Sequence, residues 1–368
     1  MPVAAKHPGK VFVKASAVKD YLGDYRIFDC RYNLAVKDHG TVEFAKAHVQ
    51  GATRVDVDED LSAITKSSTA RHPLPPCEKF ISWCKANGIS DKKPVLCYDD
   101  ECGAMGACRL WWMLDALGVE TYVVDGGAQA CKAAGIAMES GEPPAPPPPT
   151  SEWPFRTAYA HHYVVGEIPP NAVITDARVP QRFNSTVRPY AADPLPGHIE
   201  GAVNLPYNMH LVQPDGYPVL REESELRENI LDALRGSIGS DTAGLSKCVF
   251  SCGSGLSACI NIALVQQLGL GHPYLYCGSW SEYCGLFRFP MLRSIVNDYG
   301  MYIQLHTPSL GDNPKADAAV HTIEVDGTPS KSLDAELTSA LAHLHAGEKG
   351  TVYFKSGRVA TIEVIKTA

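Results

Sequence analysis

Residues Val249–Cys259 read VFSCGSGLSAC, an apolar strand that breaks into a glycine-rich turn ahead of an apolar helix. Cys252 stands where the turn begins. Unpaired backbone N–H groups and the positive end of the helix dipole both favour a thiolate over a thiol at such a position. Gly253 and Gly255 let the backbone curl without steric cost. The stretch predicts a strand–turn–helix unit that presents Cys252 as a nucleophile; the alternative is a buried, unreactive cysteine.

The loop that follows Cys252 carries no charged residue up to Ala258. A phosphatase with a comparable cysteine loop needs an arginine at position 258 to hold phosphate oxygens. Backbone dipoles alone suit a sulfur that carries about one negative charge, such as a cysteine persulfide, better than a doubly charged donor. A phosphatase is therefore only a distant alternative.

The run Cys252–Ala258 resembles the active-site loop of the 3-mercaptopyruvate sulfurtransferases of the rhodanese superfamily. Related thiosulfate sulfurtransferases typically carry basic residues in this loop, so its neutrality favours 3-mercaptopyruvate as the donor. The resemblance covers about Lys10 to Thr307. It implies that sulfur passes through a Cys252 persulfide to a thiol acceptor such as thioredoxin, or to cyanide, with release of pyruvate. It implies neither a metal ion nor an organic cofactor.

The resemblance also assigns substrate binding to the residues of this loop. They are Gly253, Gly255, Leu256 and Ser257.

The chain repeats itself at an offset of about 150 residues. Asp29–Arg31 returns as Asp176–Arg178, and His48–Ala52 returns as His198–Ala202. Uninterrupted apolar strands that alternate with helices in both copies are typical of parallel sheets covered on both faces. The predicted fold class is α/β, with two tandem rhodanese-like domains whose parallel sheets are flanked by helices, plus a small α+β C-terminal domain.

Four segments follow from this organisation. Residues 8–140 form a first rhodanese-like domain, inactive itself but contributing to the site, and residues 141–152 form a stiff, proline-rich linker. Residues 153–308 form the catalytic rhodanese-like domain, and residues 318–368 form the C-terminal module. In that module a strand is predicted at His321–Val325, a helix at Ser332–His345, and a hairpin from Thr351–Phe354 and Val359–Ile365.

The loop of the first copy differs from that of the second. Cys102 follows three carboxylates, Asp99, Asp100 and Glu101. These charges raise the pKa of a thiol and repel an anionic substrate. Cys102 is therefore predicted not to be a nucleophile.

Loss of sulfur from mercaptopyruvate leaves a pyruvate enolate, which must gain a proton. The position of Ser254 in the loop makes it the candidate donor. The resemblance adds a Ser-His-Asp relay whose histidine and aspartate come from the first domain, and by motif order these are His72 and Asp58. Asp56 and Asp60 remain alternatives to Asp58.

The carboxylate of the donor needs an anchor, and arginine provides bidentate binding better than lysine. Arg182 matches the first substrate-binding arginine of the family, and Arg188 is assigned to the second. Arg178 is expected to make structural ion pairs. His48 and His198, which recur in both copies, are expected to hold loops by hydrogen bonds.

The stretch Gly278–Tyr283, which reads GSWSEY, also matches the family. It is interpreted as a buried aromatic that walls the pocket without taking part in chemistry.

The composition excludes several classes of protein. A net charge of −8 gives no reason to expect nucleic acid or an anionic membrane as a partner. No apolar run has the length of a membrane span, and the N-terminus lacks the core of a secretory signal. Twelve scattered cysteines without a C-x-x-C pair favour reduced thiols over a zinc site. A cytoplasmic monomer is expected.

Two alternatives remain for the function. A thiosulfate sulfurtransferase would use the same fold and the same nucleophile with another donor. A non-enzymatic scaffold would keep the repeated fold only to bind a partner.

Overall fold

The computed structural model describes residues 10–64, 70–142, 149, 151–163, 168–184, 197–239 and 242–286, and the strands at 291–296, 302–307, 320–325, 328–329, 349–353 and 359–366. Within this part of the chain, none of the helices combines the length and the apolar character needed to cross a membrane.

The first domain alternates strands with helices. Its strands are β1 Phe12–Lys14, β2 Arg26–Asp29, β3 His48–Val49, β4 Thr53–Arg54, β5 Val95–Tyr98, β6 Thr121–Asp125 and β7 Met138–Glu139. Its helices are α1 Ala15–Val18, α2 His39–Lys46, α3 Cys77–Ala86, α4 Ala107–Leu117 and α5 Gly127–Ala133, with a 3₁₀ helix at Lys19–Asp24.

The second domain repeats this order. Its strands are β8 His162–Tyr163, β9 Ile174–Asp176, β10 His198–Ile199, β11 Val203–Asn204, β12 Leu211–Val212, β13 Val219–Leu220, β14 Val249–Ser251 and β15 Tyr274–Tyr276. Its helices are α6 Pro180–Phe183, α7 Glu223–Ile238, α8 Ala258–Gln267 and α9 Ser279–Leu286, with 3₁₀ helices at Tyr207–His210 and Thr242–Lys247.

Each domain is built on a five-stranded parallel sheet. The strand order is β1-β6-β5-β2-β4 in the first and β11-β9-β14-β15-β8 in the second. All four residues of β5 and all three of β14 are buried, as expected for central strands with both faces covered. The predicted tandem α/β architecture is confirmed.

The two domains meet through helices α4 and α8, which pack against each other. Almost every side chain of both helices is buried, so neither has the polar face of a surface helix. One apolar cluster includes residues of both helices and of both sheets. The interface is therefore a continuous core.

The C-terminal strands are β16 Met291–Val296, β17 Tyr302–Thr307, β18 Val320–Val325, β19 Thr328–Pro329, β20 Lys349–Tyr353 and β21 Val359–Lys366. They form an antiparallel sheet that β10 of the second domain joins at its edge, in the order β10-β16-β17-β20-β21-β18-β19. Strands β20 and β21 pair as the predicted hairpin requires. The predicted helix Ser332–His345 lies outside the described residues.

The domain boundaries remain a prediction. Strands β16 and β17 hydrogen-bond to each other, and β17 pairs with β20. We propose on this basis that the C-terminal module begins near 291 rather than 318.

The repeated Asp-x-Arg motif stands at the end of β2 in the first domain and at the end of β9 in the second, and in both places it closes the loop that follows the strand. Arg31 binds Asp29 and the carbonyl of Ala47, while Arg178 binds Asp176 and the carbonyl of Gly197. All four of these ionised side chains are buried. The structural role expected for Arg178 is confirmed.

The repeated histidines act in the same architectural way. His48 Nδ1 lies 2.8 Å from the carbonyl of Phe44, and His198 Nδ1 lies 2.9 Å from that of Phe183. Each imidazole also stacks on the phenylalanine ring, with centroids 3.6 and 3.8 Å apart. Their predicted loop-holding role is confirmed.

The register of the sheets shows which residue of the first domain corresponds to Cys252. Asp29 pairs with Tyr98 just as Asp176 pairs with Ser251, so Asp99 is the counterpart of Cys252. The buried Asp99 carboxylate accepts five backbone N–H groups, at 2.7–3.2 Å, from Glu101, Gly103, Met105, Gly106 and Ala107.

Cys102 occupies a different position in this loop. Burial and the neighbouring Asp125 raise the pKa of its thiol well above the ordinary value. Its sulfur lies 3.3 Å from Asp125 Oδ1. The direction of this shift agrees with the expected raised pKa, although burial and Asp125 contribute more to it than the adjacent carboxylates do. That Cys102 is not a nucleophile stays a prediction.

We predict that Asp99→Asn lowers the free energy of unfolding by about 2–4 kcal/mol, because an amide can turn only one oxygen toward five donors. Denaturant titration followed by circular dichroism measures the change. Asp100→Asn is the matched control, since Asp100 is partly exposed and pairs with His39; its expected cost is below about 1 kcal/mol. Equal costs for the two variants would contradict the anchoring role of Asp99.

Candidate active site

Cys252 begins the loop between β14 and α8, at the interface of the two domains. The residue is only 2% exposed, and its Sγ accepts the backbone N–H of Gly255 at 3.1 Å. Gly255 has a φ of +78°, and a Cβ placed there would fall 2.4 Å from the carbonyl oxygen of Cys277. Only glycine fits this tight turn, which brings a backbone donor to the sulfur.

The GSWSEY stretch fixes the backbone of this loop. Ser279 Oγ accepts the N–H of Cys252 at 3.1 Å, and the N–H groups of Trp280 and Ser281 donate to the carbonyls of Cys252 and Gly253 at 3.0 Å. Trp280 is fully buried, as predicted, but among the described residues this stretch does not line the cleft that contains Cys252, so the expected role as a pocket wall is wrong. The interpretation missed that the serines and the backbone of this stretch hold the nucleophile loop.

Ser254, His72 and Asp58 come together in one hydrogen-bonded line. His72 Nδ1 lies 2.7 Å from Ser254 Oγ, and its Nε2 lies 3.1 Å from Asp58 Oδ1. His72 and Asp58 belong to the first domain and Ser254 to the second. The side chain of His72 is 1% exposed, whereas that of Asp58 is 47% exposed.

The two alternatives to Asp58 are engaged elsewhere. Asp56 binds Arg54 and accepts the N–H groups of Asp58 and Glu59, and Asp60 accepts the N–H of Asp56. These are turn contacts within the acidic segment, and they leave Asp58 as the carboxylate that contacts His72.

The local electrostatics favour a neutral imidazole beside an ionised carboxylate. Burial lowers the pKa of His72, although the hydrogen bond with Asp58 opposes this shift. The same hydrogen bond lowers the pKa of Asp58.

Two arginines converge on the loop from opposite domains. A Cβ placed on Gly253 would lie 2.7 Å from Arg182 Nη2 and 2.8 Å from Arg71 Nη2. Arg182 was predicted from the sequence, and Arg71 was not. Arg188 lies outside the described residues.

These groups line one cleft of about 400 Å³. Both domains contribute to its wall, which includes Cys252, Gly253, Ser254, Leu256, Ser257, Arg71, Arg182 and Tyr32. Gly255, which was also predicted to bind substrate, does not line the cleft; its backbone N–H group donates to Cys252 Sγ instead. The cleft exposes a thiol, the Ser254 hydroxyl, which His72 contacts from behind the wall, and three guanidinium groups, of which Arg178 is paired with Asp176. The carboxylates of Asp100 and Glu101 line it as well. The thiol, the hydroxyl and the guanidinium groups of Arg71 and Arg182 suit attack on an anionic substrate followed by proton transfer.

Arg109 of α4 crosses the domain interface beneath this cleft and is fully buried. Its Nη1 donates to the carbonyl of Gly255 at 3.1 Å and to Cys277 Sγ at 2.8 Å. Its Nη2 donates to the carbonyls of Leu61 at 3.1 Å and His72 at 3.2 Å. One guanidinium thus holds both the loop of Cys252 and the backbone of His72.

No group of three or more His, Cys, Asp or Glu side chains is placed to hold a metal ion in the part of the chain that the structure describes.

Comparison with known families gives two matches. The rhodanese-like domain model matches residues 14–134 and 166–286. A domain of unknown function, DUF1930, matches residues 301–367.

Three similar proteins illustrate the resemblance. A solved structure titled 3-mercaptopyruvate sulfurtransferase from Leishmania major is 63% identical, with a TM-score of 0.76, over 99% of each chain. A probable 3-mercaptopyruvate sulfurtransferase of Pseudomonas aeruginosa is 35% identical over 71% of this chain and 89% of its own length. A putative thiosulfate sulfurtransferase of Mycobacterium tuberculosis is 31% identical over 75% of this chain and 94% of its own length.

We predict that Gly255→Ala slows the alkylation of Cys252 by iodoacetamide by about tenfold or more, because the new methyl collides with backbone and moves the N–H group that faces the sulfur. Gly269→Ala is the matched control. Gly269 also has a positive φ, of +66°, but nothing lies within 4 Å of a Cβ there. Both variants carry the strain of the backbone angle, so equal alkylation rates would show that the contact at Gly255 does not matter.

Proposed function

This chain belongs to the rhodanese superfamily as a 3-mercaptopyruvate sulfurtransferase, and on that premise we propose how its two domains share the reaction. The supporting observation is the 2.7 Å contact between His72 Nδ1 of the first domain and Ser254 Oγ of the second, because Ser254 lines the same cleft as Cys252. A proton relay beside a thiol suits a reaction in which sulfur leaves carbon.

In the first step the Cys252 thiolate attacks the sulfur of 3-mercaptopyruvate. An S–S bond forms, the C–S bond breaks, and its electron pair passes to the enolate of pyruvate. Arg71 and Arg182 hold the substrate carboxylate, since their guanidinium groups meet beside the loop. Arg188 remains a predicted second anchor.

The enolate carbon then takes a proton from Ser254, which His72 resupplies while Asp58 holds the ring in place. That proton comes from the thiol of the donor: it passes through the Ser254 hydroxyl to the unprotonated Nδ1 of His72, which then returns it to Ser254. The products are pyruvate and an anionic Cys252 persulfide.

In the second step the outer sulfur passes to an acceptor thiolate, which regenerates the Cys252 thiolate. The N–H of Gly255 faces the inner sulfur, and the uncharged loop residues Gly253, Leu256 and Ser257 shape the cleft around it. A thiol acceptor such as thioredoxin, a cytoplasmic location and a monomeric state remain predictions. Cyanide serves as an assay acceptor.

Thiosulfate is the second candidate donor, because some relatives are named for it. Its leaving group is sulfite, which departs without any proton transfer to carbon. With thiosulfate as the donor, no step would need the proton transfer that the buried Ser254–His72 contact provides. The presence of this contact therefore favours 3-mercaptopyruvate as the donor. The same assembled relay weighs against a non-enzymatic scaffold.

We predict that Cys252→Ser lowers pyruvate release by about three orders of magnitude or more, because the hydroxyl is a poor replacement for a thiolate nucleophile. Intact mass after incubation with 3-mercaptopyruvate should show one added sulfur in the parent protein and none in the variant. Cys77→Ser is the control, since Cys77 is a partly exposed cysteine outside the cleft. Full turnover by Cys252→Ser would refute the mechanism.

We predict that Arg182→Met and Arg71→Met each raise KM for 3-mercaptopyruvate by about 10-fold to 100-fold, because each removes a charge-assisted hydrogen-bond donor for the carboxylate. Initial rates of pyruvate formation measure the effect. Arg235→Met should change nothing, because Arg235 forms an exposed ion pair with Asp232. An unchanged KM in the cleft variants would remove these arginines from the substrate site.

A further inference from the structure

Tyr32 lies in the loop after β2 and points its hydroxyl at the contact between His72 and Asp58. The hydroxyl oxygen is 3.2 Å from Asp58 Oδ1 and 3.2 Å from His72 Nε2. The rings of Tyr32 and His72 meet edge to face, with centroids 5.8 Å apart. The three polar groups therefore form a compact triangle.

Hydrogen-bond capacity restricts the arrangement of protons in this triangle. His72 Nδ1 is engaged by Ser254, so Nε2 is the nitrogen that faces Asp58 and Tyr32. Asp58 Oδ1 can accept both the Nε2–H of His72 and the O–H of Tyr32. With Nε2 holding its proton, Nδ1 of the neutral ring is left to exchange a proton with Ser254.

Tyr32 also separates two cavities. It lines the catalytic cleft and a second cavity of about 390 Å³, which Lys37, Asp58 and Glu59 line as well. The Asp58 side chain is 47% exposed, so water can compete for its oxygens. The phenol ring packs against the apolar cluster at the domain interface, and this packing holds the hydroxyl group in position.

We propose that Tyr32 is a positioning residue of the relay: its hydroxyl holds the Asp58 carboxylate against His72 Nε2 and thereby keeps Nδ1 directed at Ser254. This inference rests on the proposed function, because it assigns Tyr32 to the proton-transfer part of that reaction. The residue supports the first half-reaction, in which carbon gains a proton, and not the second.

The test is Tyr32→Phe, which keeps the ring and removes only the hydroxyl. In single-turnover experiments with 3-mercaptopyruvate, the saturating rate of pyruvate release should fall by about 5-fold to 20-fold, while the half-saturating concentration stays within about twofold. Discharge of preloaded persulfide to cyanide should keep its rate, because no proton moves to carbon. In an Asp58→Asn background, Tyr32→Phe should add no further loss.

Tyr159→Phe is the matched control. Tyr159 packs in the same apolar cluster, and within the described residues its buried hydroxyl has no hydrogen-bond partner. It should leave both half-reactions unchanged. An equal slowing of both half-reactions by Tyr32→Phe would mean a general structural role and would overturn the proposal, as would an unchanged pyruvate rate.

Ser254→Ala, measured in parallel, distinguishes a failure of this inference from a failure of the proposed function on which it rests. A loss of pyruvate release in Ser254→Ala with full rates in Tyr32→Phe would refute the role of Tyr32 alone. Full pyruvate release by Ser254→Ala would refute the relay itself.

Discussion

The buried guanidinium of Arg109 is the constraint on which the catalytic cleft depends. Taking a cation out of water costs several kcal/mol, and this cost is offset only when its donors find acceptors in good geometry. The two Nη atoms of Arg109 meet three backbone carbonyls and one thiol sulfur drawn from both domains, while its Nε has no partner among the described residues. If the domains shifted, these acceptors would separate and leave the charge uncompensated. The bonds to Gly255 and His72 therefore hold the loop of Cys252 at a fixed distance from the backbone of His72.

This arrangement lets each domain supply part of the proposed site. The second domain holds Cys252 and Ser254 on a loop supported by Ser279 and the backbone of Trp280. The first domain brings Arg71 to the same cleft, and it places His72, backed by Asp58, against the Ser254 hydroxyl in the cleft wall. The α4–α8 core packs the two domains against each other, so the contact between Ser254 and His72 forms across a buried apolar interface.

The sequence was sufficient wherever local pattern determined structure. The alternation of apolar strands with helices, the turn at Cys252 and the repeated Asp-x-Arg motif all operate within a few residues, and each was predicted. Long-range contacts could not be predicted from the sequence. Arg71 precedes His72 directly, but no motif marks it as a cleft residue. Nothing in the sequence around Arg109 distinguishes it from other arginines in helices. The resemblance supplied His72, and the choice of Asp58 over Asp56 depended on turn hydrogen bonds seen only in the fold. Arg188 and the roles of the cleft residues remain predictions.

The Asp99 carboxylate has a further consequence, which concerns competition between ligands. In the turn of the first domain, five backbone N–H groups are already engaged by the chain's own side chain, whereas in the turn of the second domain the N–H group of Gly255 faces the sulfur of Cys252. A tethered ligand has an effective concentration in the millimolar range or above, so a free anion in solution competes poorly with it. The Asp99 carboxylate therefore directs small sulfur anions away from the first domain and toward the substrate site that we propose at Cys252.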